Sequence, residues 1–211
     1  MALERVVTFA VPVLTVVLLH AVIVTGHPEY AFAALAFAPA AHLMIAFARG
    51  GGQRQKSILC ATLFILAALQ AATLVAGQDV ARLIVVPPVI VHGALAWTFG
   101  RSLLPGREPL IHRFSRFSRG RVPAELTGYT RTLTIAWTVM FAAMAVIAAG
   151  LGVMAEPKTW SWVVNIGMPA MSVVLFLGEH AYRAVVYRHL GHNSPLGTLR
   201  TLVRAETWTA P

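Results

Sequence analysis

Residues 132–154 read TLTIAWTVMFAAMAVIAAGLGVM. The run has no charged side chain, and about 20 apolar residues in a helix suffice to cross a hydrocarbon core of about 30 Å. Working outward from it, comparable runs occur at Val6–Thr25, Ala31–Ala48, Ser57–Ala76, Val80–Phe99 and Trp162–Tyr187. The composition agrees. Of 211 residues, 57% are hydrophobic and 12% charged, and the mean hydropathy is +0.70; a soluble domain is about 25% charged. These values exclude a soluble globular domain, a disordered chain and a disulfide scaffold. The single cysteine, Cys60, allows neither an intrachain disulfide nor a cysteine zinc site. The expected fold class is all-α, a polytopic membrane bundle of six transmembrane helices in three hairpins, forming one body over residues 1–190 with a cytoplasmic tail at 191–211.

The charges orient the spans. There are 17 Lys and Arg against 8 Asp and Glu, a net charge of +9. With the N-terminus inside, the inner segments hold Arg5; Arg49, Arg54 and Lys56; Arg101, Arg107, Arg113, Arg116, Arg119, Arg121 and Arg131; and Arg183, Arg188, Arg200 and Arg204. The outer segments hold Arg82 and Lys158. Cytoplasmic loops carry the excess of cations, so both termini are expected in the cytoplasm. The same asymmetry explains the high pI without nucleic acid. The first span is too long and too weakly flanked for a cleaved signal peptide. Outer loops at Gly26–Tyr30, Gly77–Asp79 and Ala155–Ser161 are too short for an external domain.

The returning helix of each hairpin repeats a layout. Pro39 precedes His42 and Arg49; Pro88 precedes His92 and Arg101; Pro169 precedes Glu179, His180 and Arg183. This is either a threefold repeat or the common habit of membrane helices to carry proline and to end inside in arginine. The long inner loop, 101–131, contains an amphipathic segment at about 108–119. There Leu110, Phe114 and Phe117 share a face, with Arg107, Arg113, Arg116 and Arg119 around it. Such a helix is expected to lie on the inner leaflet. It is either a charged connector or a docking surface for lipid head groups or an acidic partner.

An ionisable group inside a span costs roughly 2.5–3.5 kcal/mol on insertion scales, so each one calls for a role and a partner. Glu179 and Arg183 are one helical turn apart and can pair within their helix. Two readings of Glu179 stand side by side: a structural staple with Arg183, or part of a polar site with His180, Arg183, His42 and His92. His20 is expected to be a neutral packing histidine. Serine-nucleophile, phosphate-loop and histidine zinc motifs are missing, so no cofactor or metal is expected and the sequence assigns no catalytic residue.

Three segments then point to a family. Phe99-Gly-Arg-Ser-Leu-Leu-Pro-Gly-Arg-Glu-Pro-Leu-Ile-His-Arg-Phe-Ser-Arg116, Pro123-Ala-Glu-Leu-Thr-Gly-Tyr-Thr-Arg131 with Trp137, and Phe176-Leu-Gly-Glu-His-Ala-Tyr-Arg183 resemble small multi-pass bacterial inner-membrane proteins. These are encoded among fatty-acid-like genes for aryl-polyene (xanthomonadin-type) pigments. The resemblance covers most of the second half of the chain and implies a biosynthetic context, with acyl carrier proteins, acyltransferases and exporters as neighbours; it carries over no catalytic residue. Three functions follow as expectations. The first is an accessory protein that handles lipid-linked acyl or aryl-polyene intermediates at the cytoplasmic leaflet and docks an acidic acyl carrier protein. The second is a small proton-coupled transporter or flippase using Glu179 and the histidines. The third is a membrane acyl or prenyl transferase. Membrane lipid is the expected partner in all three, and an oligomer is compatible with each.

Overall fold

The computed structural model describes residues 2–48, 52–76, 82–119 and 122–190. Among them every regular element is helical. We label the helices α1 (Ala2–Val24), α2 (Ala31–Ala48), α3 (Gln53–Ala76), α4 (Val86–Arg101), α5 (Leu110–Arg119), α6 (Glu125–Met154), α7 (Pro157–Ser161) and α8 (Met168–Val186). A π-helical stretch, Trp162–Gly167, joins α7 to α8. Arg49, Arg121, the loop at 77–81 and the tail at 191–211 lie outside the described residues, as does the side chain of Arg119.

Five stretches are long and apolar enough to cross a membrane: Pro28–Phe47, Gln53–Val75, Leu83–Arg101, Glu125–Met154 and Pro157–Val186. The described apolar part of the first expected span is shorter, Ala10–Val24. The chain is a helical membrane protein.

Several boundaries move for local reasons. The helix expected from Thr132 begins at Glu125. Its 30 residues rise about 45 Å, more than the hydrocarbon thickness, so its first turns extend past the apolar run that hydropathy detects. Thr130 and Thr134 are buried there, and their hydroxyls are satisfied within the helix by donating to Leu126 O and Thr130 O, 2.9 and 2.7 Å away. The expected outer loop Ala155–Ser161 is mostly helix, because Pro157 occupies the first turn of α7, where a missing N–H costs nothing. Pro87-Pro88 fall at the start of α4, after the 3-10 turn Arg82–Val85. They therefore open that helix rather than interrupt it at mid-span.

The chain forms two compact units. The first comprises Met1–Pro87 and Ala148–Gly167. In it α1 packs on α2, α2 on α3, and α7 on α1. Gln70 pins this unit. Its Oε1 accepts the Ala33 N–H at 2.9 Å, satisfying a donor at the start of α2, while Nε2 donates to Glu29 O at 2.6 Å. Thr73 donates to the same Glu29 carbonyl at 3.1 Å. Replacing Gln70 with leucine strands these groups and is expected to lower the thermal transition of the purified protein by the equivalent of about 1–3 kcal/mol. An unchanged transition would show that the staple contributes nothing.

In the same unit, Asn165 donates to Ser161 Oγ at 2.9 Å, and Ser161 Oγ lies 2.9 Å from His20 Nδ1. The buried Trp160 indole donates to Ala148 O. His20 is thus a bonded packing histidine. Gly152 is fixed by close approach: a Cβ there would come 2.5 Å from the Val85 side chain.

The second unit comprises Pro88–Ile147 and Met168–Pro211. Its apolar centre is a ring cluster of Phe99 from α4 with Trp137 and Phe141 from α6, at centroid distances of 5.3–6.2 Å. Phe114 of α5 joins edge-on to Phe99. Helix α5 is thus carried on α4 and α6. Its first N–H groups are capped across the chain, Leu110 N–H by Ser102 Oγ at 3.0 Å and Ile111 N–H by Thr134 Oγ1 at 3.3 Å.

Candidate functional site

The polar cluster of the second unit is centred on Glu179. Helical spacing puts Arg183 one turn on, and its Nη1 donates to Glu179 Oε1 at 3.0 Å. A second helix contributes too. The Tyr129 hydroxyl, from the start of α6, donates to the same oxygen at 3.3 Å. His180 Nδ1 lies 2.8 Å from Glu179 Oε2 and 2.8 Å from Phe176 O. Both are acceptors, so Nδ1 carries the proton and the ring is oriented by its own helix.

The Glu179 side chain is 7% exposed, and those of His180 and Arg183 are 11% exposed. A carboxylate held out of water this way needs its charge matched, and Arg183 supplies the match. Tyr129 stacks on Tyr182 with centroids 5.6 Å apart, and Tyr187 packs against both. Tyrosines prefer the level where hydrocarbon meets head groups. Glu179 is reached from Tyr129, two residues before Arg131, so the cluster lies at the end of α6 that carries this arginine. Chemically, it is a buried carboxylate with donors from two helices. Its described contacts include no serine or cysteine nucleophile.

The other expected members are placed elsewhere. His42 belongs to the first unit, where its Nδ1 donates to Ala38 O at 2.8 Å. His92 is in the second unit, but its Nδ1 donates to Pro88 O at 2.7 Å and its ring faces Phe141. The structure therefore brings together Glu179, His180 and Arg183, and adds Tyr129. His42, His92 and His180 share one feature, a hydrogen bond from Nδ1 to the carbonyl one turn back.

The basic segment is the second candidate. Leu110 is 3% exposed and Phe114 5%, both against the protein, while Phe117 is 36% exposed. The expected apolar face is therefore mostly occupied within the fold, which leaves Phe117 as its outward aromatic. Arg116 forms a two-pronged clasp on Glu108, with Nε to Oε1 at 3.0 Å and Nη2 to Oε2 at 2.8 Å. Arg113 is only 15% exposed, and its Nε lies 3.7 Å from Glu108 Oε2. His112 Nδ1 lies 3.1 Å from Thr130 Oγ1. Arg107 is exposed. Of the expected docking arginines with described side chains, Arg107 and Arg116 face outward, and Arg113 is largely internal. Among the described residues, no group of three or more His, Cys, Asp or Glu side chains could hold a metal ion.

The Arg116 clasp holds the Glu108 carboxyl below its ordinary value, against a smaller opposing effect of burial. A carboxyl lowered on folding stabilises the fold above its unfolded pKa, and that contribution is lost as pH falls through the folded value. The protection of α5 amides against hydrogen exchange, measured relative to the intrinsic rate at each pH, is thus expected to fall on acidification below about pH 4.3, the ordinary glutamate value. Glu108→Gln should remove that dependence. Identical acid profiles for the two proteins would assign the clasp no role.

No protein-family model, no curated protein and no solved structure matches this chain.

Proposed function

We propose that the chain is a six-span inner-membrane protein with both termini in the cytoplasm. It handles lipid-linked acyl or aryl-polyene intermediates at the cytoplasmic leaflet, with an acyl carrier protein docking on α5. The observation that carries this reading is the charge of one end of the second unit. Arg101, Arg107, Arg116 and Arg131 are exposed there, and the acids of that loop and the α6 start are Glu108 and Glu125. Because α5 is bound by Phe114 and its caps, its polar face is held in place instead of moving with the lipid surface. A positioned cationic face suits an acidic protein partner, whose encounter rate depends on charge and salt. The lipid and polyene context comes from the sequence resemblance.

Two measurements test the reading. For topology, an impermeant thiol reagent applied to intact cells is expected to label a cysteine placed at Lys158 and not one placed at Arg54; the reverse pattern overturns it. For function, the protein reconstituted in nanodiscs is mixed with an acyl carrier protein. Arg116→Glu is expected to reduce carrier association, and reversal of an acidic residue on the carrier to restore it. Unchanged association by Arg116→Glu would remove the dock.

The Glu179 cluster favours a second reading, a small proton-coupled transporter or flippase. A carboxylate this buried, with a histidine and a tyrosine on it, has the makings of a proton relay. Proton-dependent lipid movement in vesicles, lost in Glu179→Gln, would select this reading over the first.

A further inference from the structure

The loop that follows α4 is built as a rigid tip. Ser102 N–H donates to Phe99 O, Leu103 N–H to Gly100 O and Leu104 N–H to Arg101 O, so the helix tightens as it ends. A β-turn follows. Arg107 N–H donates to Leu104 O at 3.1 Å, with Pro105 second and Gly106 third at φ +77°. Proline followed by a residue of positive φ is the sequence of a type II turn, and glycine takes that φ without strain. The turn displays Leu104, 49% exposed. Arg101 and Arg107 flank it and are exposed. Arg131 is brought in from α6, where its Nη2 donates to Leu103 O at 3.3 Å.

These cations have no carboxylate partner among the described residues. The nearest acid in the chain, Glu108, has both oxygens taken by Arg116. Glu125 faces His189 at 3.2 Å. The height of the tip is fixed by its neighbours. It leads from α4 to α5 and is bonded to the first turns of α6, where Tyr129 packs with Tyr182 and Tyr187. An exposed leucine among unpaired arginines at that level meets acyl chain and phosphate together.

We propose that Arg101, Arg107 and Arg131 around Leu104 form a site for the phosphate head group of an anionic phospholipid, with Leu104 against the acyl chains. The ring deepens the lipid reading above but does not need the carrier dock, which rests on Arg116. It also does not depend on which side of the membrane this end faces. Arg131 is held by the Leu103 carbonyl before any lipid arrives, so little side-chain freedom is lost on binding.

The test uses the full chain in nanodiscs of phosphatidylcholine with or without phosphatidylglycerol, and native mass spectrometry of the lipid retained on transfer to detergent. The wild type is expected to retain phosphatidylglycerol over phosphatidylcholine. Arg107→Gln and Arg131→Gln are each expected to lower that retention about fivefold, the effect of one cation at a membrane surface. Arg131→Lys should keep part of it and serves as the folding control, checked by its thermal transition. Arg188→Gln, which removes an exposed cation past the end of α8 and leaves the Glu108 clasp intact, should leave retention unchanged, and Leu104→Ser should lower it. Inorganic phosphate added to both kinds of disc is the second probe. Equal loss in Arg188→Gln means diffuse attraction to a basic face and overturns the site. So does wild-type retention in both glutamine variants, or binding of inorganic phosphate that is insensitive to Leu104→Ser and blocks phosphatidylglycerol. Unchanged carrier association in Arg116→Glu, with lipid retention as expected, would strike the proposed dock and leave this site standing.

Discussion

Arg183→Ala is expected to cost about 3–5 kcal/mol of stability, the usual effect of leaving one member of a buried ion pair alone. Glu179 is almost fully buried, and Arg183 is the cation that reaches its Oε1. His180 offers a ring N–H, and Tyr129 a hydroxyl. Neither replaces a guanidinium. Glu179→Gln removes the stranded charge, so the double variant Glu179→Gln, Arg183→Ala is expected to be more stable than Arg183→Ala alone. Tyr129→Phe should have the smaller effect of one hydrogen bond to a charged group, about 1.5–3 kcal/mol. Thermal unfolding in one detergent gives all four values. If the double variant is as poor as the two single losses added, the pair is uncoupled and Glu179 is balanced by something else.

The Glu179–Arg183 pair was legible in the sequence because its geometry is local: one helical turn separates the partners, and a helix was certain there. Tyr129 was not, since it comes from another helix and is fifty positions away. The available signal was a tyrosine near the start of a long helix, level with a neighbour's polar residues. His42 and His92 were grouped with Glu179 because all lie on inward-running spans. Depth in a membrane does not say which way a side chain turns. In each, Nδ1 closes on the carbonyl one turn back, which satisfies half of the ring within its own helix. The recurrence across the hairpins is matched by this shared way of holding a histidine, which requires no repeat.

The spans were legible from hydropathy, but their ends were not. Hydropathy locates the hydrocarbon, whereas a helix stops where its backbone groups find other partners. Thus α6 starts at Glu125, just past Pro123, and α7 starts on Pro157. Gln70 shows the same limit from the opposite direction. A polar residue in a span called for a partner, and the partner is backbone at the start of α2, which no spacing rule could name.

The amphipathic segment gives the second large prediction, because its two phenylalanines have parted company. On a helical wheel Phe114 and Phe117 share a face, and both were expected to enter the leaflet. Phe114 instead meets Phe99 edge-on with centroids 6.4 Å apart, and Leu110 is buried beside the Ser102 cap. Phe114→Ala is therefore expected to cost about 3–5 kcal/mol, as for a core phenylalanine, and to free α5 from α4 and α6. Limited trypsin digestion should then cut after Arg113 or Arg116, and hydrogen exchange of α5 should quicken. Phe117→Ala, at an outward position beneath the Arg116 guanidinium, should leave stability within about 0.5 kcal/mol of wild type, as most surface changes do. If the two variants behave alike, α5 is held by the lipid surface and not by the bundle. A difference in the expected direction makes α5 a fixed part of the second unit, with Arg116 displayed on a helix that cannot drift.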